Sequence, residues 1–287
     1  MSEKENKQAT ISALMASKNI ADSVDSHYFQ TKKDTDSTPS SNESLNVAVK
    51  DRLINANMLV PGSPLGENFT DEYRRIKRPL LENAFGKTAS LVDSGNLILV
   101  TSSIPGEGKT HTAANLALSI AHERDHTVLL VDCDVNRHGI SKLFGLTDKQ
   151  GLVDVLESDT LTAGDVLLRT DIPELSIISA GKGHDYVTEL LASQKMLNFV
   201  SELTSRYDDR VIVFDGPPLL PTPQTQVLAG LVGQIVFVIE AGKTPQMLVE
   251  EALEMIPREK ATNLVLNKSE GISNRGGYYY GYYRPDN

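Results

Sequence analysis

The sequence predicts an α/β protein, a mostly parallel sheet with helices on both faces. Three observations carry that reading. Short apolar runs recur at residues 97–100, 128–131, 175–178, 211–214, 235–239 and 264–266. Segments with helical apolar spacing lie between them. Two runs end in aspartate, and the first is closely followed by a glycine-rich loop that opens a helix. Unbroken apolar strands separated by helices mean a sheet buried on both faces. Ligands bind such sheets at the C-terminal ends of the strands.

The elements follow in order. Residues 1–60 are assigned to a disordered tail, because the stretch to about Asn46 is rich in Ser, Thr, Asp, Lys and Asn and has little to bury. Pro61, Gly62, Pro64 and Gly66 punctuate the start of the folded domain, residues 64–272. A charge-dense helix is expected over 70–83. After the first strand, Ala113, Leu116, Ala117, Ile120 and Ala121 make one helical stripe. A long helical stretch is expected to bury Leu190, Leu197, Val200 and Leu203 on one side. A further helix spans about 246–255, and the last run, 264–266, reads as another buried strand. Residues 273–287 form a separate tail.

The chain has 287 residues and a formal net charge of -10, which argues against nucleic acid as the main partner. No run reaches the 18 apolar residues of a membrane helix, and the N-terminus lacks a signal-peptide core. The single cysteine, Cys133, fits a reducing, cytoplasmic setting and reads as a small packed residue between two acids.

Pro105-Gly106-Glu107-Gly108-Lys109-Thr110 has the context of a phosphate-binding loop. Its glycines let backbone N–H groups approach phosphate, and the helix N-terminus favours negative charge. Lys109 reaches terminal phosphates, and the Thr110 hydroxyl is placed for Mg²⁺. Ser103 stands where the strict pattern has glycine. Ser103 and His111 flank the loop and complete its candidate nucleotide contacts. The first acidic run ends in Asp132-Cys133-Asp134 and the second in Asp215-Gly216-Pro217-Pro218. Mg²⁺ takes hard oxygen ligands, and phosphoryl transfer needs a group to orient the attacking hydroxyl. Asp132, Asp134 and Asp215 cover both tasks. Asn267, ending the last strand, either contacts a nucleotide base or is a turn residue.

Tyr278, Tyr279, Tyr280, Tyr282 and Tyr283 crowd the C-terminus among glycines, where no strand or helix period suits them. They read as mobile phosphate acceptors or as a sticky aromatic tail.

Together these motifs resemble the bacterial P-loop tyrosine kinases of exopolysaccharide biosynthesis, and the wording at residues 73–79 and 188–193 is closest to the exosortase-associated autokinase branch. The resemblance covers about residue 71 to the C-terminus. It implies a P-loop NTPase fold of the SIMIBI type and ATP and Mg²⁺ as cofactors. Lys109 would contact phosphates, Thr110 and Asp215 would serve Mg²⁺, and Asp132 would activate the acceptor hydroxyl with Asp134 supporting metal or base. Glu72, Arg75 and Arg78 match the family's ExxRxxR motif, which implies contacts in a ring-like homo-oligomer. The family's DxDxR pattern is altered here, with Asn136 followed by Arg137. A separate membrane activator of the chain-length-determinant type, which would recruit the chain to the inner face of the membrane, and a tyrosine phosphatase are the other implied partners. Two rivals stand beside this reading. One is a septum-positioning or partitioning switch ATPase, against which Ile104 counts, because the second lysine of that group is missing. The other is a nucleotide-dependent scaffold of a membrane polysaccharide complex.

Overall fold

The computed structural model describes residues 46–63, 70–205 and 209–269. Their centre is an eight-stranded sheet in the order β1-β4-β5-β3-β6-β2-β7-β8. The strands are β1 (Asn46–Val47), β2 (Leu97–Ser102), β3 (Thr127–Asp132), β4 (Leu168–Thr170), β5 (Leu175–Ile178), β6 (Arg210–Asp215), β7 (Gln234–Glu240) and β8 (Ala261–Asn267). Every pairing is parallel except that of β4 with β5.

Alternate residues of the central strands feed opposite cores, as the two-residue period of a strand requires. Leu97, Leu99, Leu129, Val131, Ile212, Phe214, Ile235 and Phe237 face one side. That side is covered by α5 (Leu152–Glu157), α6 (Ala163–Val166), α7 (Val187–Leu191), α8 (Gln194–Ser205), α9 (Gln224–Leu231) and α10 (Gln246–Glu254). Ile98, Val100, Val128, Leu130, Val211, Val213, Val236 and Val238 face the other. Here lie α1 (Lys50–Asn55), α2 (Thr70–Phe85), α3 (Lys109–Ile120) and α4 (Gly139–Phe144). Among the described residues, no helix is long and apolar enough to cross a membrane.

Three expectations need correction. Residues 46–60 belong to the fold: they add β1 and α1, and Val49, Leu53, Met58 and Val60 are buried. The polar composition that marks the tail ends at about Asn46, and the assignment to residue 60 runs on past an apolar stretch that includes these four anchors. The long helical stretch is two helices, α7 and α8, broken at Ala192-Ser193. The break resets the helical phase, so Met196, Phe199, Val200 and Leu203 point inward while Leu197 is exposed. The run 264–266 lies on an edge strand, where Leu264 and Leu266 are 58% and 59% exposed and Val265 alone packs inward.

Helix α2 packs on α3 through the i, i+3, i+4, i+7 face Tyr73, Ile76, Lys77 and Leu80. Lys77 is buried and donates to the Ser119 carbonyl at 2.6 Å, while pairing with Glu123 at 2.6 Å. Glu72, Arg75 and Arg78 are left exposed on the outer side.

Candidate active site

Strand β2 ends at Ser102, and the chain turns through residues 103–108 into α3. Gly106 and Gly108 adopt φ of 96° and 97°, the left-handed region that glycine enters without steric cost. Gly108 is the residue that precedes the first helical turn. The loop is braced from inside by Glu107, which is buried. Its Oε2 accepts from the Ile104 backbone N–H at 2.8 Å, and its Oε1 accepts from Thr244 Oγ at 2.6 Å. Asn267 Nδ2 donates to the Glu107 carbonyl at 2.8 Å, and Lys268 Nζ donates to the Gly106 carbonyl at 2.7 Å. Asn267 and Lys268 therefore hold the loop. Ser103 is buried, and its hydroxyl has no hydrogen-bond partner.

The acidic groups converge because β3 and β6 are neighbours in register, with Asp132 opposite Asp215. Lys109 Nζ lies 2.7 Å from Asp134 Oδ2 and 4.0 Å from Asp215 Oδ1. Thr110 Oγ donates to Asp215 Oδ2 at 2.8 Å. Asp132 Oδ2 accepts from both the backbone N–H and the hydroxyl of Ser141, at 2.8 and 2.7 Å. Burial pushes the Asp132 carboxyl above its ordinary range, against the pull of the Ser141 hydrogen bonds. Burial also lifts Asp215 to about 7, with Lys109 opposing and Asp132 adding to the rise. The Cys133 thiol is buried in the apolar core and pushed well up by the same loss of solvent, which makes it a packing residue.

The start of α4 closes the site. A Cβ on Gly139 would stand 2.7 Å from Thr110 Oγ and 3.3 Å from Asp215 Oδ2, so only glycine fits. His138, immediately before it, takes φ of 54°, a conformation that costs a non-glycine residue energy and that clusters at functional sites.

The structure thus brings Ser103, Pro105, Gly106, Glu107, Gly108, Lys109, Thr110, Asp132, Asp134, Asp215 and Asn267 to one sheet edge. His111 sits on the exposed side of α3, its ring against Asn115, and burial lowers its basicity. Arg137 touches Asp134 through its backbone N–H at 3.3 Å, and its side chain is exposed. The five candidate acceptor tyrosines, 278–280, 282 and 283, lie outside the described residues. Sequence reasoning missed Ser141, Thr244 and the bracing role of the Glu107 carboxylate. Thr244 is 137 residues from Glu107, and no motif spacing marks either partner.

A backbone cradle of left-handed glycines, a buried lysine and a hydroxyl–carboxylate pair define a P-loop nucleotide-binding protein. A family model described as AAA domain matches residues 95–256. The tyrosine-protein kinase CpsD of Streptococcus agalactiae is 30% identical over 186 residues, covering 63% of this chain and 80% of that protein. The tyrosine-protein kinase YwqD of Bacillus subtilis is 29% identical over 215 residues, 74% of this chain and 86% of that one. The crystal structure of the chimeric protein CapA2B2 superposes with a TM-score of 0.64 at 25% identity, covering 79% of this chain and 94% of that one. The chain belongs to the AAA-domain family and, within it, to the bacterial tyrosine-protein kinases of capsule and exopolysaccharide systems.

Proposed function

We propose that this chain transfers the γ-phosphoryl group of ATP to the tyrosines of its own C-terminal tail, in trans within a ring-like homo-oligomer. The observation that carries the reading is the meeting of Lys109, Thr110, Asp132, Asp134 and Asp215 at the sheet edge where Lys268 leaves β8.

The residues fit ATP and Mg²⁺. Asp215 Oδ1 is fully buried without a hydrogen-bond partner, a hard oxygen oriented into the cluster beside the Thr110 hydroxyl. Bound Mg·ATP supplies the transferable phosphoryl group and the cation that neutralises it. Thr110 and Asp215 would hold the cation, and Lys109 would exchange Asp134 for phosphate oxygens. Asp132 accepts the proton of the attacking tyrosine, and its raised affinity for protons suits a general base working nearer neutrality. Ser141 engages Asp132 Oδ2, while Asp132 Oδ1 accepts only a longer bond from the Asp134 backbone N–H at 3.3 Å, which the acceptor hydroxyl would displace or share.

Glu72, Arg75 and Arg78 are the proposed ring contacts, since α2 gives its other face to α3. Phosphorylation adds roughly -1.5 to -2 charge per tyrosine, so five would add about -8 to -10 to an acidic chain and drive the tail and ring apart. A membrane activator recruits the chain to the inner membrane face, and a phosphatase resets the tail; the family resemblance supports both.

The test incubates full-length protein with γ-labelled ATP and Mg²⁺ beside Lys109→Met and a chain ending at Gly277. Label on the wild type alone is the expected result. Phosphate release without label would replace the autokinase by a switch ATPase, and neither signal would favour a scaffold.

A further inference from the structure

We propose that residues 46–60 form a strap that sets the catalytic geometry, with Arg52 as a positioning residue acting through α4. The inference rests on the phosphoryl-transfer reading above.

Helix α4 has six residues, too few to be stable on their own. Its place must be imposed by what it touches. Its leading end bears on three groups of the site. Ser141 holds Asp132 by two hydrogen bonds, and Gly139 lies against Thr110 and Asp215. Ser141 Oγ also accepts from the Ala180 backbone N–H at 3.0 Å. A shift of α4 therefore moves the proposed base and the proposed cation donors together.

The far end of α4 is gripped by the strap. Arg52 donates Nε to the Leu143 carbonyl at 2.9 Å and Nη2 to the Lys142 carbonyl at 3.0 Å. These are carbonyls of the last turn, where a guanidinium also meets the negative end of the helix dipole. Leu53 is buried in the same cluster as Ile140 and Phe144 of α4. The strap is itself anchored in two places, along β4 with the Asp171 that follows it and on α3. The Asp171 carboxylate accepts from the backbone N–H groups of Val49 and Lys50 at 2.8 and 3.1 Å. β1 pairs with β4. The Leu59 N–H donates at 2.9 Å to Asn115 of α3, the helix that begins at Lys109. One fifteen-residue segment thus spans both helices that carry the site, and Arg52 is its polar grip on α4.

Arg52 is exposed, so water can replace it on the two carbonyls and the chain should still fold. The consequence falls on geometry, and misplacement behind a reacting group costs rate more than binding. The experiment compares full-length wild type, Arg52→Ala, Arg52→Lys and Asp171→Asn at varied ATP, following label in protein and phosphate released in the same reactions. Arg52→Ala should lower kcat roughly 10-fold while KM for ATP stays within about twofold. Arg52→Lys should restore part of kcat, because an ammonium can still donate to the carbonyls. Asp171→Asn, which keeps an acceptor oxygen but removes the charge that strengthens the Val49 and Lys50 bonds, should shift kcat the same way by a smaller factor. Unchanged kcat in Arg52→Ala overturns the proposal, as does a loss matched by an equal loss of folded protein in thermal unfolding. If the wild type releases phosphate but takes no label, the autokinase reading fails, and the same Arg52 comparison on phosphate release still decides the strap.

Discussion

Asp215→Asn should stabilise the protein while abolishing its phosphoryl transfer. Asp215 is fully buried, and its carboxyl is lifted from 3.8 to about 7. The folded value lies above the unfolded one, so the stabilising contribution is complete below about pH 4 and is lost as pH rises through 7. Three units at about 1.4 kcal/mol each set a ceiling near 4 kcal/mol at pH 8. The neutral isostere also gives up the attraction to Lys109 that opposes the rise, so about 2–4 kcal/mol is the expected gain. For a domain of this size that is about 5–12 °C in Tm. Thr110 keeps an oxygen to donate to, so the swap opens no cavity. The assay is thermal unfolding of both proteins with chelator present, at pH 5 and pH 8. The gap in Tm should widen toward pH 8, while labelling by ATP is lost. A gap that is equal at both pH values, or a variant less stable at pH 8, refutes the reasoning.

Two further outcomes follow from the same geometry. Arg75→Glu with Arg78→Glu should convert the proposed ring-like oligomer to monomer by light scattering with Tm unchanged, because both side chains are exposed and α2 is held by Tyr73, Lys77 and Leu80; an unchanged mass removes that face from the interface. Leu99→Ala should cost about 2–5 kcal/mol in denaturant unfolding, whereas Leu264→Ser should stay within about 0.5 kcal/mol, since the first side chain is fully buried and the second is on the open edge.

The central sheet was legible because parallel strands bury both faces, and residues such as 97–100 and 211–214 have no polar interruption for that reason. The same logic misjudged β8. An apolar triplet carries no mark of whether a further strand and helix cover it, and Leu264 and Leu266 sit where the sheet ends. The candidate metal and phosphate groups were legible as a cluster because the chemistry they would serve ties residue type to strand ends and loop glycines. Lys109, Thr110, Asp132, Asp134 and Asp215 meet at one edge of the sheet.

What the sequence concealed is the support behind those groups, and it was concealed for a physical reason. Ser141, Glu107 and Arg52 act through hydrogen bonds to backbone or to one carboxylate oxygen, and such bonds ask only for a donor or acceptor at a point in space. No residue type or interval is demanded, so nothing periodic or composite appears in the chain. Arg52 is the extreme case, an exposed side chain in a segment assigned to the tail. It nevertheless meets α4 from below while Asp132 and Thr110 meet it from above. A helix of six residues held at both ends takes its position from those contacts, because its own hydrogen bonds are too few to set it. On the proposed reading, α4 and its two grips would set the geometry of the base, and the P-loop, braced separately by Glu107, Thr244 and Asn267, would hold the nucleotide.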